Sequence, residues 1–150
     1  MNLLLWRHAE AEDAARGDDL ARALTARGRA QAERVASWLA ERLPEDARIL
    51  VSPARRCQQT AAPLGRKTET VAAVAPGASA EALLAAAGWP DGDDATVVVV
   101  GHQPAIGEAA ALAMGAAGAP WQVKKGAVWW LKRGKSGGVR IHAVQSPDEL

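Results

Sequence analysis

Three short apolar runs, each ending in polar and basic residues, set the pattern of this chain. Leu3-Leu4-Leu5-Trp6 runs into Arg7-His8-Ala9-Glu10. Ile49-Leu50-Val51 runs into Ser52-Pro53-Ala54-Arg55-Arg56. Thr96-Val97-Val98-Val99-Val100 runs into Gly101-His102-Gln103-Pro104. Continuous apolar runs of this length read as strands of a parallel sheet buried on both faces. In such sheets ligands bind at the C-terminal strand ends. Arg7, His8, Arg56 and His102 are therefore expected along one rim.

Helical periods fill the intervals. Leu24-Thr25-Ala26-Arg27-Gly28 opens a helix with Thr25 as N-cap, and Ala32, Val35, Ala36, Leu39 and Leu43 form one apolar face that Pro44 ends. Ser52-Pro53 reads as the N-cap and first residue of a second helix, running past Gln58, Thr60 and Leu64 to Gly65, with Arg56 one turn in. Adjacent Arg55 and Arg56 cannot both face a pocket, because neighbours on a helix point apart. Residues 69–74 predict a weaker strand. Ser79 caps a short helix through Glu81, Leu83 and Leu84 that ends at Gly88, and Pro104 starts a helix with Ile106, Ala109, Ala110 and Ala113 on one face. Residues 125–133 and 139–144 predict an antiparallel hairpin at a sheet edge, turning through Gly134-Lys135-Ser136-Gly137-Gly138. Residues 11–23 predict a polar loop that partly covers the rim, and residues 115–120 a loop of small residues. Alternating strands and helices predict a three-layer α/β/α sandwich, with a mostly parallel central sheet and helices on both faces.

Composition narrows the function classes. At 150 residues, without repeat or linker, the chain reads as one domain spanning 1–150. A net charge of +1 implies no broad field for nucleic acid or membrane. With no Phe or Tyr and six Trp, an aromatic base-stacking platform is not expected. The apolar runs fall far short of the ~20 residues of a membrane span. The N-terminus becomes charged too early for a signal peptide, and a lone cysteine fits a reducing compartment. The cytoplasm is the expected location.

The rim residues suggest phosphoryl chemistry. Neutral imidazole attacks phosphorus and holds the phosphoryl group covalently. A guanidinium fork binds two phosphate oxygens and meets transition-state charge. A helix N-terminus after Ser52 favours an anion, and Gly101 permits close backbone approach. The three histidines, His8, His102 and His142, lack metal-ligand spacing. Gly134-Lys135-Ser136 lacks the first glycine of a phosphate loop, since Trp129 stands there, and reads as a hairpin turn. A Cys-x5-Arg phosphatase needs Arg at position 63, where Pro63 stands, so Cys57 reads as a buried thiol. His142 alternates with Ile141 and Ala143 as a structural residue. The basic cluster Lys124, Lys125, Lys132, Arg133 and Lys135 reads as a solvated face able to steer an acidic partner.

Four segments in order, Leu5-Trp6-Arg7-His8-Ala9-Glu10, Leu24-Thr25-Ala26-Arg27-Gly28, Ser52-Pro53-Ala54-Arg55-Arg56 with Gln59-Thr60-Ala61, and Gly101-His102-Gln103-Pro104, resemble the histidine phosphatase superfamily. Its fold is phosphoglycerate mutase-like, and the short length most resembles the SixA-type phosphohistidine phosphatase branch. The resemblance implies that His8 is the phosphorylated nucleophile, that Arg7 and Arg56 are phosphate clamps, and that His102 is the second pocket histidine. It departs at Ala9, where the family usually has Gly. Larger members also carry an acidic proton donor. The nearest candidate is Glu81, whose context reads as a solvated helix face.

A missing acid has a chemical meaning. A phosphate ester leaves as a basic alkoxide, whereas phosphohistidine leaves as imidazole, with a conjugate-acid pKa near ~6.5. The expectation is a phosphohistidine phosphatase without metal or cofactor. Its expected partner is a phosphohistidine-bearing protein domain or a small phosphorylated metabolite. The alternatives are a phosphate-ester phosphatase of the same superfamily, favoured if Glu81 or the loop from Glu10 to Asp19 supplies an acid, and a non-catalytic phosphate-binding regulatory module.

Overall fold

Alternate side chains of the apolar runs go to opposite faces of the sheet, and both faces are covered. The computed structural model describes residues 1–14, 17–116 and 120–150. Leu3 and Leu5 of β1 (Asn2–Arg7) join Val97 and Val99 of β4 (Thr96–Gly101) under α3 (Ala80–Ala87) and α4 (Ala105–Ala113). Leu4, Trp6, Val98 and Val100 pack instead under α1 (Ala26–Ala40) and α2 (Arg55–Ala61). The three-layer arrangement expected from the sequence is the one found. Trp6 is fully buried, and its indole N–H donates to the Gly126 carbonyl at 3.0 Å. At about 25 cal/mol per Å² over roughly 200 Å², that side chain alone contributes ~5 kcal/mol of transfer free energy.

The sheet has six strands in the order β3-β2-β4-β1-β5-β6, where β2 is Arg48–Val51, β3 Glu69–Thr70, β5 Val128–Arg133 and β6 Val139–Gln145. The first four run parallel, and β5 and β6 form the antiparallel edge. Arg7 lies opposite Gly101, and Val51 opposite Val100. Two further backbone bonds, His8 N–H to Gly101 O at 3.0 Å and Ser52 N–H to Val100 O at 3.1 Å, carry the ladder past the strand ends. Three adjacent strands thus deliver Ser52, His102 and His8 side by side. Among the described residues no helix is long and apolar enough to cross a membrane.

Several boundaries differ from expectation for local reasons. The weak strand over 69–74 pairs only at Glu69–Thr70, because β2 ends at Val51; the chain then turns into a 3-10 turn, Ala72–Val74, that buries Val74. Ser52-Pro53 does not cap α2, which starts at Arg55 after Ala54; the Ser52 hydroxyl is taken by His102 and by Ala54 N–H. Arg56 is therefore the second residue of the helix rather than one turn in. The hairpin strand begins at Val128 instead of 125, since residues 124–127 form a turn whose Gly126 N–H donates to His8 O. α4 begins after Pro104, at Ala105, with Gly107 N–H bonded to the Gln103 side chain. The loop over 11–23 holds a 3-10 turn, Asp19–Ala21, while residues 15–16 and 117–119 of the two expected loops lie outside the described residues.

Candidate active site

His8 follows directly on β1 and is 8% exposed. Its Nδ1 lies 2.8 Å from the Ala9 carbonyl oxygen. A carbonyl only accepts, so Nδ1 carries the proton and the Nε2 lone pair is left available. The ring centroid of His102 lies 5.3 Å from that of His8. Burial, then the nearby Arg56 and Arg7, pushes His8 down to about 4, against a backbone bond that favours the charged form. Burial, then Arg56 and His8, takes His102 down to about 3. Both imidazoles are neutral near pH 7.

Two guanidiniums belong to the same cluster. Arg7 donates from Nη1 to Val123 O at 2.8 Å. Arg56 donates from Nη1 to Asp19 O at 2.8 Å, and from Nη2 to Asp19 Oδ2 at 3.1 Å and His102 Nδ1 at 3.3 Å. The Nε atoms of both arginines are buried and have no partner among the described residues. A buried donor left unsatisfied costs about 1–3 kcal/mol, so two of them together indicate a ligand with acceptor oxygens. Arg55 is exposed, as the helix geometry requires. With Arg56 bonded to its Nδ1, His102 carries its proton on Nε2 and donates to Ser52 Oγ at 2.8 Å. The Cys57 thiol lies 3.5 Å from that Nε2, buried and, through desolvation, pushed up to about 12. It is an inert packing group.

The second motif holds the loop after His8. Thr25 N–H donates to Glu10 O at 3.0 Å, and Thr25 Oγ1 donates to Glu10 Oε2 at 2.8 Å. A Cβ on Gly28 would run into the Glu10 carbonyl oxygen, so only glycine lets the loop lie on the first turn of α1. Ala9 N–H donates to Thr60 Oγ1, whose own proton goes to Arg56 O at 2.7 Å, tying the His8 loop to α2. The Ala9 methyl packs with Leu24 and Ala32 in a small buried cluster.

The four residues expected on one rim thus come together. Glu81 is exposed in the first turn of α3, and no hydrogen bond joins it to them. Sequence reasoning missed Arg22, and it gave Asp19 only as the end of a loop that could supply an acid and Ser52 only as a helix cap. Asp19 bridges Arg56 and Arg22, with Arg22 Nη1 at 3.2 Å from Oδ1. Nothing in Gly17-Asp18-Asp19 distinguishes one aspartate from the other. Ser52 is a cap by sequence and a histidine partner by structure. The basic cluster divides: Lys124 and Lys125 lie in the turn bonded to His8, whereas Lys132, Arg133 and Lys135 lie at the opposite end of β5, which pairs Lys132 with Asn2. Gly134-Lys135-Ser136 is a hairpin turn, closed by Gly134 N–H to Gly138 O. His142 lies on the edge strand against Trp130.

The model of the histidine phosphatase superfamily (branch 1) matches residues 3–79. An uncharacterised protein of Picosynechococcus sp. is 37% identical over 95% of this chain and 90% of its own length. The solved structure of the protein histidine phosphatase SixA complexed with tungstate is similar, with a TM-score of 0.80 and 25% identity over 99% of both chains. A protein of Agrobacterium tumefaciens assigned as the phosphohistidine phosphatase SixA is similar with a TM-score of 0.78 and 29% identity over 97% of both chains.

Proposed function

We propose that this chain, which belongs to the histidine phosphatase superfamily (branch 1), removes the phosphoryl group from phosphohistidine in a protein. Family and fold support phosphatase activity; substrate and mechanism are our reading. The observation that carries it is a neutral imidazole fixed by Ala9 O, beside two guanidiniums whose buried Nε–H groups lack partners among the described residues. His8 Nε2 attacks phosphorus, an N–P bond forms, and the bond to the substrate nitrogen breaks in line. Arg7 and Arg56 take up the equatorial oxygens. A bound phosphoryl dianion raises the pKa of His102, which then donates to it. Water next attacks phosphorus, the N–P bond breaks to free His8 as neutral imidazole, and both protons of the water stay on the phosphate, which leaves as dihydrogen phosphate.

Phosphohistidine is favoured over an ester by what the leaving group requires. A substrate imidazole protonated at its other nitrogen departs neutral and needs no acid. The carboxylate that reaches the clamp, Asp19, is held ionised: burial alone would raise it, but hydrogen bonds from Arg22 and Arg56 keep it below the ordinary range. It has no proton to give at neutral pH. Cys57 as a lone buried thiol fits a reducing compartment, and we assign the reaction to the cytoplasm.

The test is turnover of a phosphohistidine peptide beside a panel of phosphate esters in EDTA, for wild type and His8→Ala. Fast loss of phosphohistidine, slow ester hydrolysis and a dead variant are expected. Faster ester turnover overturns the substrate, and phosphate binding without turnover of either overturns the enzyme in favour of a binding module.

A further inference from the structure

Asp19 lies where the proposed mechanism has no use for a carboxylate. It enters from the 3-10 turn Asp19–Ala21, and its side chain is 50% exposed, while the Arg56 side chain it meets is 5% exposed. All four N–H groups on Arg56 Nη1 and Nη2 are potential phosphate donors, yet Asp19 holds one from each nitrogen. The second Nη2 hydrogen goes to His102 Nδ1. That leaves Nε–H and the second Nη1 hydrogen without an acceptor among the described residues, and of these two nitrogens Nε is the buried one with no partner at all. Side-on recognition of a phosphoryl group uses Nε and Nη2 together, so a phosphoryl oxygen arriving at Nη2 meets an acceptor already there. Two anions also repel across that short distance. Arg22, bonded through Nε to Glu12 O and through Nη1 to Asp19 Oδ1, keeps the carboxylate paired when it yields.

We propose that Asp19 sets the phosphate affinity of the clamp: its carboxylate competes with a phosphoryl oxygen for Arg56 Nη2, so that the site holds inorganic phosphate weakly and releases it. The proposal rests on reading Arg56 as a phosphate clamp. It assigns Asp19 a role in affinity and product release and none in bond making. The bond from Arg56 Nη1 goes to the Asp19 backbone carbonyl and does not use the Asp19 side chain, so it is expected to anchor Arg56 in Asp19→Asn as well.

The experiment is the inhibition constant of inorganic phosphate and of tungstate, with direct titration by tryptophan fluorescence, for wild type, Asp19→Asn and Asp18→Asn. Asp19→Asn keeps the size and the oxygen and removes the charge. Its inhibition constants are expected to fall roughly threefold to fivefold, the size of an exposed charge pair, while kcat stays level or falls as release slows. Asp18→Asn removes the same charge next door without touching Arg56, and is expected to stay within about a quarter of that effect on a logarithmic scale. Unchanged or weaker binding in Asp19→Asn overturns the proposal, because a residue that only positions Arg56 would loosen the clamp when altered. An equal gain in Asp18→Asn also overturns it, reducing the effect to the general field. Failure of the wild type to bind either anion removes the clamp reading itself, and this proposal with it. Weak binding with intact turnover, insensitive to Asp19, sinks the proposal alone.

Discussion

Two neutral buried histidines make the stability of this protein depend on pH in a direction the structure fixes. An unfolded histidine has a pKa near ~6.5, and native His8 sits at about 4. Between those values the unfolded chain binds a proton that the folded chain refuses. Stability contributed by His8 is therefore present above the unfolded pKa and is lost as pH falls toward the folded one. Near pH ~5.5 the difference is ~0.9 proton, a slope of about 1.2 kcal/mol per pH unit, and the integral is about 3 kcal/mol. His102, at about 3, adds a contribution of the same sign; as neighbours the two titrate as a pair. The perturbation is His8→Gln, whose amide can still donate to Ala9 O. Urea unfolding followed by tryptophan fluorescence, in phosphate-free buffer between about pH 6.5 and 4.5, gives the slopes. The variant is expected to lose stability less steeply than wild type by about 1 kcal/mol per pH unit, and the double variant with His102→Gln less steeply again. The carboxylates titrate alike in all three proteins and cancel. Parallel curves would refute the reasoning, since they require histidines charged in the native state.

Arg56→Lys keeps the charge and removes the planar fork, with its bonds to Asp19 and its unpartnered Nε. A loss of roughly 10- to 100-fold in kcat/KM, with the protein still folded by circular dichroism, is expected from one or two charge-assisted bonds. Gly28→Ala drives a methyl into the Glu10 carbonyl, backbone against backbone; it is expected to cost about 1–3 kcal/mol, read as a fall of several degrees in Tm.

The rim was legible because each of its four residues follows an apolar run, and a buried parallel strand ends where its apolar residues end. Arg7, His8 and His102 needed nothing more than strand order to be brought together. Arg56 was legible for a different reason: only one of two adjacent arginines on a helix can turn inward, and the family resemblance made Arg56 the clamp. Strand length was less legible, because 69–74 has the composition of a strand and loses its partner when β2 stops at Val51. The start of α2 was misread because Ser52-Pro53 has the chemistry of a cap, and a buried histidine two strands away in sequence claims the hydroxyl first. The contact of Asp19 with Arg56 was hidden for the same kind of reason. The partner lies 37 residues away, and short-range pattern does not encode a contact made by a polar loop that reaches the start of α2 at the rim.

His8 hangs from the middle of the sheet, on a strand with neighbours on both sides, its amide closed on Gly101. Backbone in that position opens to exchange only when the whole molecule unfolds, whereas exposed turns open locally at little cost. The nucleophile and the residue that tempers its clamp therefore belong to regions of unequal permanence. Substitution in the turn around Asp19 can shift how tightly an anion is held without disturbing the strand that performs the chemistry. In a lineage of such proteins, turnover and retention are free to drift apart, the first tied to survival of the fold and the second to a few surface residues.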